Sequence, residues 1–400
     1  MKSGSVGSGT GPAAKRLRGL RFRFGIMAKV FGVAVGGVLL AVGLLSGITL
    51  YSMNGDVETN AKKQLDLAIN LERSLIDQHL ARVRDQASAV AESDQVKGAL
   101  AGRGKVTRDQ VARFKAGAAN LQILTVVDAQ GRVVARANSD QVGQAFAANG
   151  LVADVLSKGA VAAAAAVLPE ADWAAEGPDL RKLVVIPVKA TAGAEERKEK
   201  EVTGALVLVA VAPVKGPTGA VAGAVIAAEV LNQNYSIVDE VRDRTNGEVT
   251  ATVAMDGIRV TTNVRLKDAD GKATENRAIG TVYSIPVMTN LRKGEEYRGR
   301  AVVAGEWQKT VYVPLKDHTG KVVAGPYVGI SEATFTALRG QFIGILVPVA
   351  IVGFLIAALM SFLVSRSVAV QVGRVKKAAE RIADGDLTIE ELKIGGRDEV

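Results

Sequence analysis

Two stretches of this chain carry no charge over the length of a membrane crossing. VFGVAVGGVLLAVGLLSGITLY runs from Val30 to Tyr51, and FIGILVPVAIVGFLIAALMSFLV runs from Phe342 to Val364. Each predicts a helix of about 30 Å, the hydrocarbon thickness of a bilayer. Gly36, Gly37 and Pro348 would weaken a soluble helix but are ordinary in lipid. After the first run, Leu65, Ile69, Ile76, Leu80, Val83, Ala87 and Val90 fall at threes, fours and sevens in a charged background. That stripe predicts a long amphipathic helix, packing on a domain in one stretch and pairing with a second copy in another.

From about Leu121 the period becomes that of strands. LQILTVVDAQGRVVARANS reads as strand, turn and strand, with Asp128 in a turn role and Arg132 and Arg136 on the hairpin. A helical piece follows at Phe146 to Leu156, then strands at Leu183–Ala190, Val202–Val211 and Ala220–Glu229. GAEERKEKE, Gly193 to Glu201, reads as a solvated hairpin tip. AVAAAAAV, Ala160 to Val167, is too low in complexity to assign. A second cycle opens with a helical stretch, Asn232 to Asp243, and continues through EVTATVAMDGIRVTTNV, NRAIGTVYSI, RGRAVVAG, WQKTVYVPL and KVVAGPYVG. The hairpin phrase PVKGPTGAV, Pro213 to Val221, returns as PLKDHTGKV, Pro314 to Val322. A period of about 100 residues is too long for a solenoid and implies two similar domains in tandem. The fold class expected is α+β: a long N-terminal helix and two tandem PAS-like antiparallel-sheet domains between two transmembrane helices, then a coiled coil.

Charge orients the membrane segments. Lys2, Lys15, Arg16, Arg18, Arg21, Arg23 and Lys29 precede the first, and Arg366, Arg374, Lys376 and Lys377 follow the second. By the positive-inside rule both ends are cytoplasmic, and residues 52–341 are extracytoplasmic, in the periplasm of an inner-membrane protein. A cleaved signal peptide is a poorer reading of the first run, which is long and closes on no clear cleavage site. The net charge of +9 arises largely from these flanks, so it speaks for anionic lipid and against nucleic acid. There is no cysteine, which removes disulfide and thiolate chemistry.

The run GEVTATVAMDGIRVTTNVR with NRAIGT, EYRGRAVV and YVPLKDHTGKVVAGPYVG resembles the membrane-proximal half of double Cache sensor domains, as in bacterial chemoreceptors and sensor kinases. GAVAGAVIAAEVLNQNYSIVDEVRD is similar to that family's junction between distal and proximal halves. After the second apolar run, Val368, Val372, Val375, Ala379 and Ile382 alternate by four and three and stop at Gly385-Asp386, a seam that resembles a HAMP linker with Gln371 where a proline is usual. The resulting plan is a basic N-terminus (1–29), a first membrane helix (30–51), a stalk or dimerisation helix (54–100), a distal Cache domain (101–231), a proximal Cache domain (232–338), a second membrane helix (342–364) and a HAMP linker (365–400) that breaks off before any output domain.

The candidate site comes from Asp256-Gly257, a strong two-residue hairpin signal. A regular ladder from that turn pairs Ala254 with Arg259, Thr252 with Thr261 and Thr250 with Asn263, making one face oily and the other polar. Arg259 would grip a carboxylate, with Thr252, Thr261 and Asn263 orienting it and Arg277 and Tyr312 as additions. The same face also fits the solvated side of an antiparallel sheet, and the resemblance implies that the ligand often sits in the distal half. Trp173 and Trp307 read as packing residues. His79 and His318 stand in no metal-spaced cluster, so no metal, cofactor or catalytic residue is expected. The resemblance implies a dimeric receptor for an amino or organic acid, foremost a methyl-accepting chemotaxis receptor acting on downstream cytoplasmic signalling proteins. The alternative is a sensor histidine kinase, separable by the sequence beyond Val400.

Overall fold

The computed structural model describes residues 26–385. The cations before Ile26 and the part of the expected HAMP linker from Asp386 onward lie outside the described residues. The chain divides into two units, Gly55–Arg339 and the two terminal segments together. In the terminal unit the candidate membrane spans are Phe31–Thr49, mean hydropathy 2.2, within helix α1 (Ile26–Ala91), and Ile343–Ala383, mean hydropathy 2.8, within helix α9 (Glu332–Ala383). Leu40, Leu45, Ile48, Leu355, Ile356 and Leu359 are all more than half exposed, as apolar side chains are where lipid is the solvent.

The unit Gly55–Arg339 holds two antiparallel sheets of one design. In the distal lobe β1 (Ile123–Asp128), β2 (Val133–Arg136), β3 (Ala162–Leu168), β4 (Ala205–Lys215) and β5 (Val221–Val230) lie in the order β2-β1-β5-β4-β3. In the proximal lobe β6 (Thr250–Met255), β7 (Ile258–Thr262), β8 (Tyr297–Val303), β9 (Glu306–Tyr312) and β10 (Val322–Ser331) lie in the order β7-β6-β10-β9-β8. Second, first, fifth, fourth, third: the tandem repeat is one topology used twice. The two copies of the hairpin phrase coincide in detail, Lys215 pairing with Val221 as Lys316 pairs with Val322. Gly219 and Gly320 hold φ of 82° and 87° at the matching turn position, where a side chain would be strained.

The amphipathic stripe of α1 is buried against the backs of both sheets. Leu65, Ile69 and Ile76 share a core with Val253 and Val328, and Val83, Ala87 and Val90 share another with Leu124 and Val225. Two short helices, α2 (Asp94–Leu100) and α3 (Arg108–Ala116), lead into the distal sheet, each capped by a hydroxyl, Ser93 and Thr107. The front of the distal sheet carries α4 (Leu151–Lys158), α5 (Glu170–Trp173) and α6 (Pro178–Val184), and the proximal lobe has α7 (Ser236–Arg244) and α8 (Ile285–Arg292).

Four expectations change. The unassigned alanine run is strand β3, paired residue for residue with Ala205–Val211, because sheet pairing outweighs the helix preference of alanine. The strand expected at Leu183–Ala190 is largely absent. Pro178 opens α6 at its first turn, and only Ile186–Pro187 pairs with Glu201–Val202. The charged tip Gly193–Glu201 is not simply solvated: Glu195 makes two bonds to Arg292 at 2.8 and 2.7 Å, and Arg197 reaches Asp256 at 2.7 Å, strapping the distal lobe to the proximal one. Trp173 is fully buried as expected, donating to the Thr203 carbonyl at 3.0 Å, but Trp307 is 52% exposed. Its cross-strand partner Val302 is exposed too, and Arg300 covers the indole at 4.7 Å.

Candidate functional site

Asp256 and Gly257 both adopt positive φ, 46° and 77°, as a two-residue turn of the twisted-hairpin kind requires. From it Met255 pairs with Ile258 and Ala254 with Arg259, and then the register slips. Val253 pairs with Thr261 and Thr252 with Thr262, so Val260 is one residue too many on its strand. The expected pairs Thr252–Thr261 and Thr250–Asn263 therefore do not form. Beyond the bulge, residues change sides, and the polar face gains Thr262 while losing Thr261 and Asn263.

The displaced residues have local partners. Thr261 donates to the Asn234 carbonyl, and Asn263 donates to the Val238 carbonyl and accepts from the Ala251 amide, tying the hairpin to α7. Arg277 is also engaged elsewhere. It forms a two-pronged ion pair with Asp239 on α7 at 2.7 and 2.8 Å and lies 4.0 Å over the Tyr235 ring.

What remains on the inner face is Arg259 with Thr252 and Tyr312, joined by Thr262 and by residues that the sequence pattern did not point to: Tyr283, Tyr327, Gln308 and Thr250. Thr252 and Thr262 share a hydroxyl hydrogen bond. Tyr327 donates to Gln308 at 2.6 Å and meets the Thr250 hydroxyl at 3.1 Å. Tyr283 donates to the Gly325 carbonyl at 2.9 Å. The Tyr312 ring lies 4.7 Å from each of the other two. Gly325 and Gly329 make this possible, because a Cβ at Gly329 would sit 2.0 Å from the Tyr327 hydroxyl. The small-large-small alternation Gly325, Tyr327, Gly329 on one strand face was the available signal.

Arg259 lies among these rings and is 2% exposed. Its Nη1 donates to Thr281 Oγ1 at 2.9 Å and to the Val282 carbonyl at 3.4 Å, its Cζ stacks 4.8 Å over Tyr283, and Nε has no partner. Among the described residues, no carboxylate lies within 4.0 Å of the guanidinium. Burial pushes the phenols of Tyr283, Tyr312 and Tyr327 up, with the Arg259 charge pulling the other way, so they stand as neutral donors. The site is a buried cluster of hydroxyls around one cation that no carboxylate among the described residues pairs with.

The distal lobe handles its own buried cation differently. Arg136, 1% exposed at the end of β2, bonds Glu176, and Glu176 also accepts from Thr125 at 2.8 Å and Asn138 at 3.1 Å. Arg136 Nε donates to the Gln141 carbonyl at 3.0 Å. Asp172 accepts from the Ala148 amide at 3.2 Å, and burial raises its pKa. Asp128 takes its expected turn role, accepting from the Gln130 and Arg132 amides at 2.9 Å. The distal polar cluster is thus closed by its own glutamate.

Residues 229–342 match the family model of single cache domain 3, which covers β6 to β10 and both proximal helices. This part of the chain is a Cache domain, a sensor module. The chain as a whole carries that sensor, with a second lobe of the same strand order before it, between two helices long and apolar enough to cross a membrane. No curated protein matches it in sequence. Among solved structures it is similar to the periplasmic domain of LuxQ from Vibrio cholerae, at 14% identity and TM-score 0.40 over 67% of this chain and 99% of that one. It is also similar to ligand-binding domains of two Pseudomonas aeruginosa PAO1 amino acid chemoreceptors. One is PctB with L-Gln, at 12% identity and TM-score 0.37 over 68% of this chain and 90% of that one. The other is PctC with GABA, at 14% identity and TM-score 0.36 over 69% and 99%. These likenesses are distant, and neither ligand nor output follows from them.

Proposed function

We propose that this protein is a transmembrane receptor whose proximal Cache lobe binds a small organic anion, an amino or organic acid, through Arg259. The observation that carries the reading is the charge difference between the lobes. A buried guanidinium without a counter-ion is costly, and a ligand carboxylate accepting from it in bidentate fashion relieves that cost. Arg136 already has its carboxylate in Glu176, whereas Arg259 has none within 4.0 Å among the described residues. Thr252 and the Tyr312 hydroxyl supply polar contacts that orient the rest of the ligand, while Tyr283 and Tyr327, whose protons go to the Gly325 carbonyl and Gln308, shape the walls. Because Arg259 is 2% exposed, entry requires Tyr283 and the segment before α8 to move, which is the kind of local change a receptor transmits.

The basic flanks support placing residues 52–341 outside the cytoplasm. Val372, Val375 and Ile382 are exposed along α9, a stripe suited to a second copy in a HAMP-type coiled coil. With that coupling the chain acts as a chemotaxis receptor. The test is calorimetry of the full chain in nanodiscs against amino and organic acids. Binding that disappears in Arg259→Ala supports the assignment, and binding untouched by that change refutes it. A periplasm-dependent reporter fused near residue 200 tests the topology separately.

A further inference from the structure

A groove of 820 Å³ is lined by the proximal lobe and by Val167 of the distal lobe; Arg259 is not among its lining residues, and the second copy of the repeated hairpin phrase forms one of its walls. Its floor is apolar: Met255 from β6, Met288 and Leu291 from α8, Val323 from β10, with Val167 of β3 reaching in from the distal lobe. Glycines allow this floor to lie flat. A Cβ on Gly257 would stand 2.4 Å from Met288 Sδ, and one on Gly325 would stand 2.8 Å from Leu291 Cδ1. Two methionines in one floor adapt to more than one shape of occupant.

The rim is cationic. Arg292, Lys293, Lys316 and Lys321 line it, with Asp256 as the one acid among the lining residues. The charges of Arg292 and Asp256 are already met, by Glu195 and Arg197 of the strap. Among the described residues, Lys293, Lys316 and Lys321 have no carboxylate within 4.0 Å, so none of these three ammonium groups beside the apolar trough is held in an ion pair. Lys316 Nζ lies 3.7 Å from where a Cβ of Gly294 would stand, so the ammonium lies over the turn that follows α8. Three cations around an apolar floor match a molecule that carries a negative head and an apolar body. The distal copy of the phrase has Gly216 and Ala220 where this one has Asp317 and Lys321, so the added lysine belongs to the wall that faces the groove.

We propose that this groove is a second ligand site, for one small amphiphilic organic anion such as an aryl or medium-chain carboxylate. The carboxylate sits among Lys293, Lys316 and Lys321, and the body lies on Met255, Met288 and Leu291. Because Val167 of β3 also lines it, an occupant touches both lobes. This site does not depend on Arg259.

The experiment is calorimetry of the full chain in nanodiscs with 4-phenylbutyrate and its cationic analogue 4-phenylbutylamine, empty nanodiscs serving as the blank. Expected results are binding of the carboxylate, no binding of the amine, and affinity about tenfold weaker in Lys316→Glu/Lys321→Glu. Arg259→Ala keeps full affinity for 4-phenylbutyrate. Both lysines are exposed, and circular dichroism of the double variant verifies its fold. No heat with the carboxylate, equal binding of the amine, or an unchanged affinity in the double variant overturns the proposal. Loss of 4-phenylbutyrate binding in Arg259→Ala overturns it too, by placing the anion in the other site.

Discussion

Arg136 and Glu176 neutralise each other inside the distal lobe, with side chains 1% and 0% exposed. Breaking one half of such a pair strands the other charge. Glu176→Ala is therefore expected to destabilise the protein by about 3–5 kcal/mol, read by calorimetric or denaturant unfolding. Added formate should restore part of the loss by entering the space beside Arg136. A loss below 1 kcal/mol would mean that water already reaches the pair.

Arg259 predicts the opposite sign. Its guanidinium has no acid within 4.0 Å among the described residues, so Arg259→Met should raise the stability of the ligand-free protein by about 1–4 kcal/mol, offset in part by the lost bonds to Thr281 and Val282. The same variant should lose the rise in Tm induced by ligands of the Arg259 site, while 4-phenylbutyrate bound in the groove still raises it. A destabilised variant that still responds to ligands of the Arg259 site would show the residue to be a structural strut.

These two arginines mark how far pattern reading carries. The Asp256-Gly257 turn was legible because few residue pairs tolerate positive φ twice in succession, and Arg259 followed from it. The bulge at Val260 was not legible, since Val-Thr-Thr offers no local preference for where an extra residue settles. Its effect was to exchange Thr261 for Thr262 and to carry Asn263 to the α7 side. Tyr283 and Tyr327 were hidden for a different reason. β10 inserts between β6 and β9, so Tyr327 meets Thr252 by a pairing across 75 residues that no periodicity encodes. The stripe on α1 was plain, whereas the division of its residues between two sheets became visible only in three dimensions.

Glu72 lies on α1 at 0% exposure, with neither carboxylate oxygen in a well-formed hydrogen bond. Burial drives its pKa well above 4.5, opposed only by Arg73 and the Tyr327 backbone. The folded carboxyl keeps its proton to higher pH than the unfolded one, so the folded state binds more protons above its ordinary value of 4.5. Stability is fully present below that pH and falls as pH rises through the folded pKa. Glu72→Leu should remove this decline and, at neutral pH, stabilise the protein by about 1–3 kcal/mol. Unfolding curves of both proteins across the interval check it: parallel pH dependences would refute a buried, proton-holding Glu72.

His79 ties the same helix to the distal sheet. Its Nδ1 lies 3.0 and 2.9 Å from the two oxygens of Glu229 on β5, and Asn234 donates to the same carboxylate at 3.0 Å. With the carboxylate accepting, the proton sits on Nδ1. His79→Ala leaves Glu229, 0% exposed, with the Asn234 amide as its remaining side-chain donor, and the expected cost is about 3–5 kcal/mol. The loss should also be local. Faster hydrogen exchange along β5 and the middle of α1, with β6 to β10 unchanged, would place the weakened contact at the helix–sheet seam. His79→Gln supplies one donor to Glu229 and should recover part of both effects. Uniform acceleration across both lobes would instead mean that the pair stabilises the unit as a whole and does not anchor α1 to the distal lobe.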